Sequence, residues 1–120
     1  MKTVLVIDDE WEIGEVLRVM LEEEGYQVVN AANGQAGLDL VAQIQPDLIL
    51  SDVMMPRLDG QALSRILHAH PIYHVIPIAL MSAGTPLPES GSYAAFVPKP
   101  FLLDAVLEVV RRLIGGTATA

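Results

Sequence analysis

The stretch Thr3-Val4-Leu5-Val6-Ile7, followed at once by Asp8-Asp9-Glu10, decides the fold of this 120-residue chain. Four of its five residues are β-branched, and its last four are apolar without a break. This composition is typical of a strand that is buried on both faces of a parallel sheet. The stretch therefore predicts a strand covered on both sides, with two aspartates at its carboxyl end.

Further short apolar runs follow, separated by segments in which apolar residues recur at helical spacing. The strand-like runs cover residues 26–29, 47–51, 75–81 and 95–97. In the first helical segment Ile13 and Val16 share one face, and Gly25 is placed to end the helix. Strands that alternate with helices imply βαβ units and right-handed crossovers. The sequence therefore predicts an α/β fold, a doubly wound parallel sheet of five strands with helices on both faces.

The alternation breaks between the fourth and fifth strands. Pro86, Pro88 and Gly91 lie in this short segment, among other turn-forming residues. A proline inside a helix costs about 3 kcal/mol, because it removes a backbone hydrogen bond and clashes with the preceding turn. We therefore expect the fourth helix of such a fold to be truncated, displaced or absent here.

The composition excludes several classes of protein. A chain of 120 residues has the length of one domain, and with 52% hydrophobic and 18% charged residues it is not intrinsically disordered. Disulfide scaffolds and cysteine-ligated metal sites are excluded because there is no cysteine. The 15 acidic and 7 basic residues give a net charge of −8, which argues against direct nucleic-acid binding and suits a cation or a basic partner surface.

The length and the apolar runs also predict how the chain is organised. We expect one domain over residues 1–114, followed at 115–120 by a flexible tail or the start of a linker. No apolar run is long enough for a signal peptide or a membrane span. The sequence thus predicts a cytoplasmic protein without membrane insertion.

Polar side chains follow four of the predicted strands. Asp8-Asp9, Asp52, Ser82 and Lys99 come at or just after the ends of strands one, three, four and five. Each alone is readily explained as a helix cap, a turn residue or a solvated charge. Because ligands of open α/β sheets bind at the carboxyl ends of the strands, their joint placement predicts a site.

The chemistry of that site follows from its charges. Three clustered carboxylates repel one another unless a cation neutralises them, and Mg²⁺ suits oxygen ligands of this kind. An aspartate beside such an ion can attack phosphorus as a nucleophile. Lys99 then supplies positive charge to the phosphoryl oxygens, and the Ser82 hydroxyl can hydrogen-bond one of them.

At these residues the sequence resembles the receiver domain of two-component response regulators. The motifs that carry the resemblance are Asp8-Asp9, the segment from Asp52 to Gly60, Ser82-Ala83 and Lys99-Pro100-Phe101. They occur in order on the expected elements, and the resemblance runs from about Lys2 to Ile114. It implies the flavodoxin-like sandwich with strand order 2-1-3-4-5.

The resemblance also implies a role for each residue of the phosphorylation site. Asp52 is the expected phosphoacceptor. Asp8 and Asp9 are the expected acidic pair for Mg²⁺, with Mn²⁺ as an alternative ion, and Asp52 and the backbone carbonyl of Met54 complete the ligand set. No other cofactor is implied.

Three further residues have expected roles in transfer and switching. Lys99 is expected to contact the phosphoryl group, with a cis Lys99–Pro100 peptide bond. Ser82 and Phe96 are expected to form a switch pair, in which Ser82 moves toward a phosphoryl oxygen and Phe96 changes rotamer.

The function expected from this resemblance is transfer of a phosphoryl group from a phosphohistidine to Asp52. The donor would be a sensor histidine kinase or a histidine phosphotransfer protein, and the output would be contact with an unknown downstream protein. The chain would act as a monomer or a phosphorylation-dependent dimer, and it would not be an enzyme in the turnover sense. Two alternatives stay open: a receiver-like binding module that acts without phosphorylation, and a Mg²⁺-dependent phosphatase with an aspartate nucleophile.

Overall fold

The strands and helices follow one another in the predicted order. The computed structural model describes residues 1–55, 58–83 and 93–115. The elements are β1 (Thr3–Ile7), α1 (Trp11–Glu23), β2 (Gln27–Ala31), α2 (Gly34–Ile44), β3 (Leu48–Asp52), α3 (Gly60–His68), a 3₁₀ turn (Tyr73–Val75), β4 (Ile78–Ser82), β5 (Ala95–Pro98) and α4 (Leu103–Ile114). Four of the five strands lie within two residues of their predicted positions.

The five strands form one parallel sheet with the order β2-β1-β3-β4-β5. This confirms the doubly wound α/β fold and the strand order that the resemblance implied. Because β1 and β3 lie inside the sheet, each pairs on both sides. Their carboxyl ends are therefore held rigidly at one edge of the molecule.

Both faces of the sheet are covered, as the unbroken apolar run of β1 predicted. Val4 and Val6 face the layer formed by α1 and α4, whereas Leu5 and Ile7 face the layer formed by α2 and α3. All four side chains are fully buried. Successive residues of a strand point to opposite faces, so one short apolar run supplies both halves of the core.

Local features of the chain stabilise the helix ends. Gly25 has a φ of 91°, and its conformation ends α1 in the way that its position predicted. Asp59 caps the start of α3, where its side chain accepts a hydrogen bond of 2.8 Å from the backbone N–H of Ala62. In α4, Asp104 lies in the first turn and two arginines lie in the last, which complements the helix dipole.

The fourth strand begins later than predicted. The apolar run suggested a start at Val75, but the strand starts at Ile78, and Val75 ends the 3₁₀ turn. His70 stabilises this turn, because its Nδ1 accepts hydrogen bonds from the backbone N–H groups of Ile72 (3.0 Å) and Tyr73 (3.2 Å). A side chain that caps a turn competes with extended backbone, and apolar periodicity does not reveal it.

Two predictions concern residues that the structure does not describe. The truncated or absent helix falls on residues 84–91, and most of the predicted tail falls on residues 116–120; both lie outside the described residues. Within the described ranges, none of the helices has the length and apolar character needed to cross a bilayer.

Candidate functional site

The carboxyl ends of the strands bring the predicted polar residues to one edge of the sheet. Asp52 and Ser82 are the last residues of β3 and β4, and both are buried. Asp8 directly follows β1, and Lys99 directly follows β5. The backbone N–H of Lys99 donates to the carbonyl oxygen of Ser82 at 2.8 Å, which fixes the start of the loop after β5.

Lys99 lies at the centre of this edge. Its Nζ is 3.1 Å from Asp8 Oδ2 and 3.4 Å from Asp52 Oδ1, and it also lies 3.8 Å from Glu10 Oε1. The Lys99 side chain is only 10% exposed. The Lys99–Pro100 peptide bond is cis, as the resemblance implied. Three of the residues singled out in the sequence, Asp8, Asp52 and Lys99, therefore meet within ion-pair distance.

Asp8 is held in place through both of its carboxylate oxygens. Oδ1 accepts a hydrogen bond of 2.9 Å from the backbone N–H of Glu10, and Oδ2 accepts one of 3.1 Å from Lys99. Its side chain is fully buried. A buried carboxylate with these partners is preorganised, so it presents its charge to the site without losing side-chain entropy.

The buried charges shift the pKa values of Asp52 and Lys99. Burial raises the pKa of Asp52 above its usual value, and the charges of Asp8 and Asp9 raise it further, while Lys99 opposes the shift. Burial alone would lower the pKa of Lys99, but the hydrogen bond and charge of Asp8, together with Asp52, raise it above its usual value. Lys99 therefore stays charged at neutral pH, whereas the ionised form of Asp52 is disfavoured without a further cation.

This electrostatic imbalance predicts that Asp52→Asn stabilises the protein at neutral pH in the absence of divalent ions. A carboxyl whose pKa is raised by folding contributes stability below its unfolded pKa, and loses it as the pH rises through the folded pKa. The wild type should therefore lose stability relative to Asp52→Asn between about pH 4, the usual aspartate pKa, and neutral pH. Urea unfolding in EDTA at several pH values measures this difference.

Asp104→Asn is a matched control, because Asp104 lies on an exposed turn of α4. This variant removes the same charge as Asp52→Asn does. The stability of Asp104→Asn relative to the wild type should not rise as the pH increases. A wild type that gains stability over Asp52→Asn on going from pH 4 to 7 would contradict the assigned direction of the pKa shift.

The carboxylates are arranged so that they could hold a cation. One oxygen each from Asp8, Glu10 and Asp52 lie within 4.8 Å of one another, a group of hard oxygen donors that hold excess negative charge. The sequence interpretation missed Glu10, although the signal was present as the third acid of Asp8-Asp9-Glu10. Asp9 is exposed and is not in this trio, but its charge acts on Asp52. Met54 lies two residues beyond Asp52, and its carbonyl as a ligand stays a prediction.

The predicted switch residues lie on one face of the sheet. Phe96 pairs in register with Leu80, and Ser82 lies two residues further along β4 and so points to the same side. Phe96 is half-buried against the core layer of α2 and α3. Ser82 and Phe96 are thus neighbours on adjacent strands, offset by one pleat.

Comparison with known proteins identifies relatives over nearly the whole chain. Residues 4–111 match the family model of the response regulator receiver domain. Response regulator MprA of Mycolicibacterium vanbaalenii is 38% identical over 119 residues, which cover 95% of this chain and 51% of the relative. The chain spans about half the length of the curated relatives it matches.

Solved structures share the fold. Chemotaxis response regulator CheY4 of Vibrio cholerae is 26% identical, with a TM-score of 0.86 over 94% of this chain and 98% of that chain. Response regulator TrrA of Thermotoga maritima, solved in complex with Mg²⁺–BeF, is 30% identical, with a TM-score of 0.86 over 94% and 99% of the two chains. Because the family match covers most of the sequence, this chain belongs to the response regulator receiver domain family.

Proposed function

We propose that this domain accepts a phosphoryl group on Asp52 from the phosphohistidine of a sensor histidine kinase or a histidine phosphotransfer protein, in a Mg²⁺-dependent reaction. The observation that carries the proposal is the position of Lys99 Nζ, 3.4 Å from Asp52 Oδ1 at the carboxyl end of the central strand. The receiver domain would span residues 1–114, in line with the family match over residues 4–111. The chain modifies itself and does not turn over a substrate.

The chemical step is a transfer between two nucleophiles. An Asp52 carboxylate oxygen attacks phosphorus, the bond from phosphorus to the histidine nitrogen breaks, and the imidazole leaves with the electron pair of that bond. An acyl phosphate forms on Asp52. Lys99 stabilises the negative charge on the phosphoryl oxygens, because its ammonium is already held beside Asp52 at low exposure.

The donor set fits a hard divalent cation. Asp8, Asp9, Asp52 and the carbonyl of Met54 would hold Mg²⁺, or Mn²⁺ in its place; the observed trio of Asp8, Glu10 and Asp52 supports a cation at this edge. The bound ion would neutralise charge on the carboxylates and the phosphoryl oxygens. Burial of Asp52, which disfavours its ionised form, adds to the need for that charge.

The output would follow from a local rearrangement of Ser82 and Phe96. The Ser82 hydroxyl would hydrogen-bond a phosphoryl oxygen, and Phe96, half-buried on the same face, would change rotamer as Ser82 moves. Phosphorylation adds about 1.5 to 2 negative charges at pH 7. A downstream protein would read the altered surface, with the domain acting as a monomer or as a phosphorylation-dependent dimer.

Intact mass spectrometry after incubation with acetyl phosphate tests the proposal. We expect the wild type to gain the mass of one phosphoryl group with Mg²⁺ and to gain none in EDTA. Asp52→Ala should gain none under either condition, because the acceptor oxygen is absent. Ser51→Ala is a matched control, since Ser51 is the buried neighbour of Asp52 in β3 and should still permit phosphorylation.

Equal phosphorylation of the wild type and Asp52→Ala would refute the assignment of Asp52. No mass gain in any sample would favour the binding module that acts without phosphorylation. Continuous release of inorganic phosphate from small phosphate esters would favour the phosphatase.

A further inference from the structure

Glu10 is the third carboxylate around Lys99, and it differs from the other two in its exposure. Its Oε1 lies 3.8 Å from Lys99 Nζ, against 3.1 Å for Asp8 and 3.4 Å for Asp52. The Glu10 side chain is 63% exposed, while those of Asp8 and Asp52 are 0% and 7% exposed. Glu10 therefore lies at the mouth of the site, and the other two form its floor.

The backbone of Glu10 is held by hydrogen bonds, while its side chain is exposed. Its N–H donates to Asp8 Oδ1 at 2.9 Å, and its carbonyl oxygen accepts hydrogen bonds from the N–H groups of Ile13 and Gly14 in the first turn of α1. The side chain is thus anchored at the edge of the site, and it can leave or approach Lys99 without exposing or burying a charge at large cost.

We propose that Glu10 is a positioning residue that shares Lys99 with Asp52 and increases the negative charge at the mouth of the site, so that it favours cation binding and slows phosphoryl uptake. The inference rests on the proposed function, because it assigns Glu10 a part in the same reaction. It acts through Lys99 and through its charge, without touching the phosphoryl group.

The two effects have opposite signs because the two ligands have opposite charges. A divalent cation approaching Asp8 and Asp52 is attracted by the carboxylate of Glu10, whose oxygen lies within 4.8 Å of theirs. An anionic phosphodonor is repelled by that carboxylate. Glu10 also competes with Asp52, and with an incoming phosphoryl group, for the single ammonium of Lys99.

Glu10→Gln tests the proposal, with Glu12→Gln as its matched control. Glu12 is exposed in the first turn of α1 and is not a member of the trio of Asp8, Glu10 and Asp52. Glu12→Gln changes the net charge by the same amount as Glu10→Gln. Mg²⁺ affinity is read from the fluorescence of Trp11, the one tryptophan of the chain, which lines a cavity of about 230 Å³ with Asp8 and Asp9. The rate of phosphorylation is measured by intact mass with acetyl phosphate at saturating Mg²⁺.

We expect Glu10→Gln to weaken Mg²⁺ binding by about tenfold to thirtyfold, the effect of one charge about 4 Å from a divalent ion in water. Phosphorylation at saturating Mg²⁺ should become faster by about threefold to tenfold, the corresponding effect between two single charges. Glu12→Gln should stay within about twofold of the wild type in both measurements, because salt screens exposed charges that lie beyond the site. Glu10→Asp, which keeps the charge, should restore most of the Mg²⁺ affinity.

Either half of the result can overturn the inference. If Glu10→Gln matches Glu12→Gln in Mg²⁺ affinity or in phosphorylation rate while the wild type is phosphorylated, the role of Glu10 is refuted and the proposed function stands. If the wild type binds Mg²⁺ but gains no phosphoryl group, both are refuted.

Discussion

Lys99→Ala is expected to slow phosphorylation of Asp52 by about 10²–10³-fold, the usual effect of removing one preorganised charge from a transition state. The ammonium is held 3.4 Å from Asp52 Oδ1 with a side chain that is only 10% exposed, so water does not replace it readily. Asp52 itself stays in place at the end of β3. The rate with acetyl phosphate at saturating Mg²⁺, followed by intact mass, measures the loss.

The same variant should unfold more easily when divalent ions are absent. Removing Lys99 leaves the buried Asp8 and Asp52 without their shared partner, and breaking a buried ion pair in this way costs about 3 kcal/mol. Mg²⁺ should recover more stability in Lys99→Ala than in the wild type. Arg65→Ala, which removes an exposed positive charge from the last turn of α3, should leave the rate unchanged and lower the stability in EDTA by less than about 1 kcal/mol. If Lys99→Ala behaves like Arg65→Ala, then Lys99 neither stabilises the transition state nor neutralises the buried carboxylates, and the prediction is wrong.

The convergence of the site could be predicted because it depends on topology alone. A parallel sheet puts all its carboxyl ends at one edge, so placing Asp8, Asp52, Ser82 and Lys99 at strand ends was enough to place them together. The alternation of strands and helices gave the fold class, and the unbroken apolar run of β1 gave its two-sided burial. No side-chain geometry was needed for either step.

The position of Glu10 could not be predicted in this way. Whether the second or the third acid of Asp8-Asp9-Glu10 approaches Lys99 depends on how the chain turns from β1 into α1. The N–H of Glu10 donates to Asp8, and this local bond sets the turn. The start of β4 was missed for a similar reason, because a hydrogen-bonding side chain, His70, shapes the preceding turn.

The glycine at the start of α3 links the packing of the fold to the geometry of the acceptor. A Cβ on Gly60 would lie 2.5 Å from the carbonyl oxygen of Asp52 and 3.0 Å from Cα of Val53. These are backbone atoms of the phosphoacceptor Asp52 and of the residue that follows it. The Gly60 N–H also donates to the Val53 carbonyl oxygen at 3.0 Å. Any side chain at residue 60 must therefore displace α3 or the end of β3.

Gly60→Ala is expected to lower the free energy of unfolding by about 1–3 kcal/mol, the usual cost of overpacking a closely packed position. It should also slow phosphorylation of Asp52 by up to about 10²-fold, because a displacement near 1 Å at the reacting group has that effect. Urea unfolding in EDTA and the acetyl phosphate rate at saturating Mg²⁺ measure the two losses.

Gly14→Ala separates the close approach from the loss of a glycine as such. A Cβ on Gly14, inside α1, would meet only the Asn30 side chain, with Nδ2 at 3.5 Å, an ordinary contact distance. Since alanine is a better helix former than glycine, Gly14→Ala should raise the stability by about 0.5–1 kcal/mol and leave phosphorylation unchanged. If Gly60→Ala gains stability as Gly14→Ala does, the prediction is contradicted. The backbone at the end of β3 would then shift without cost, and the packing of α3 would not fix the position of Asp52.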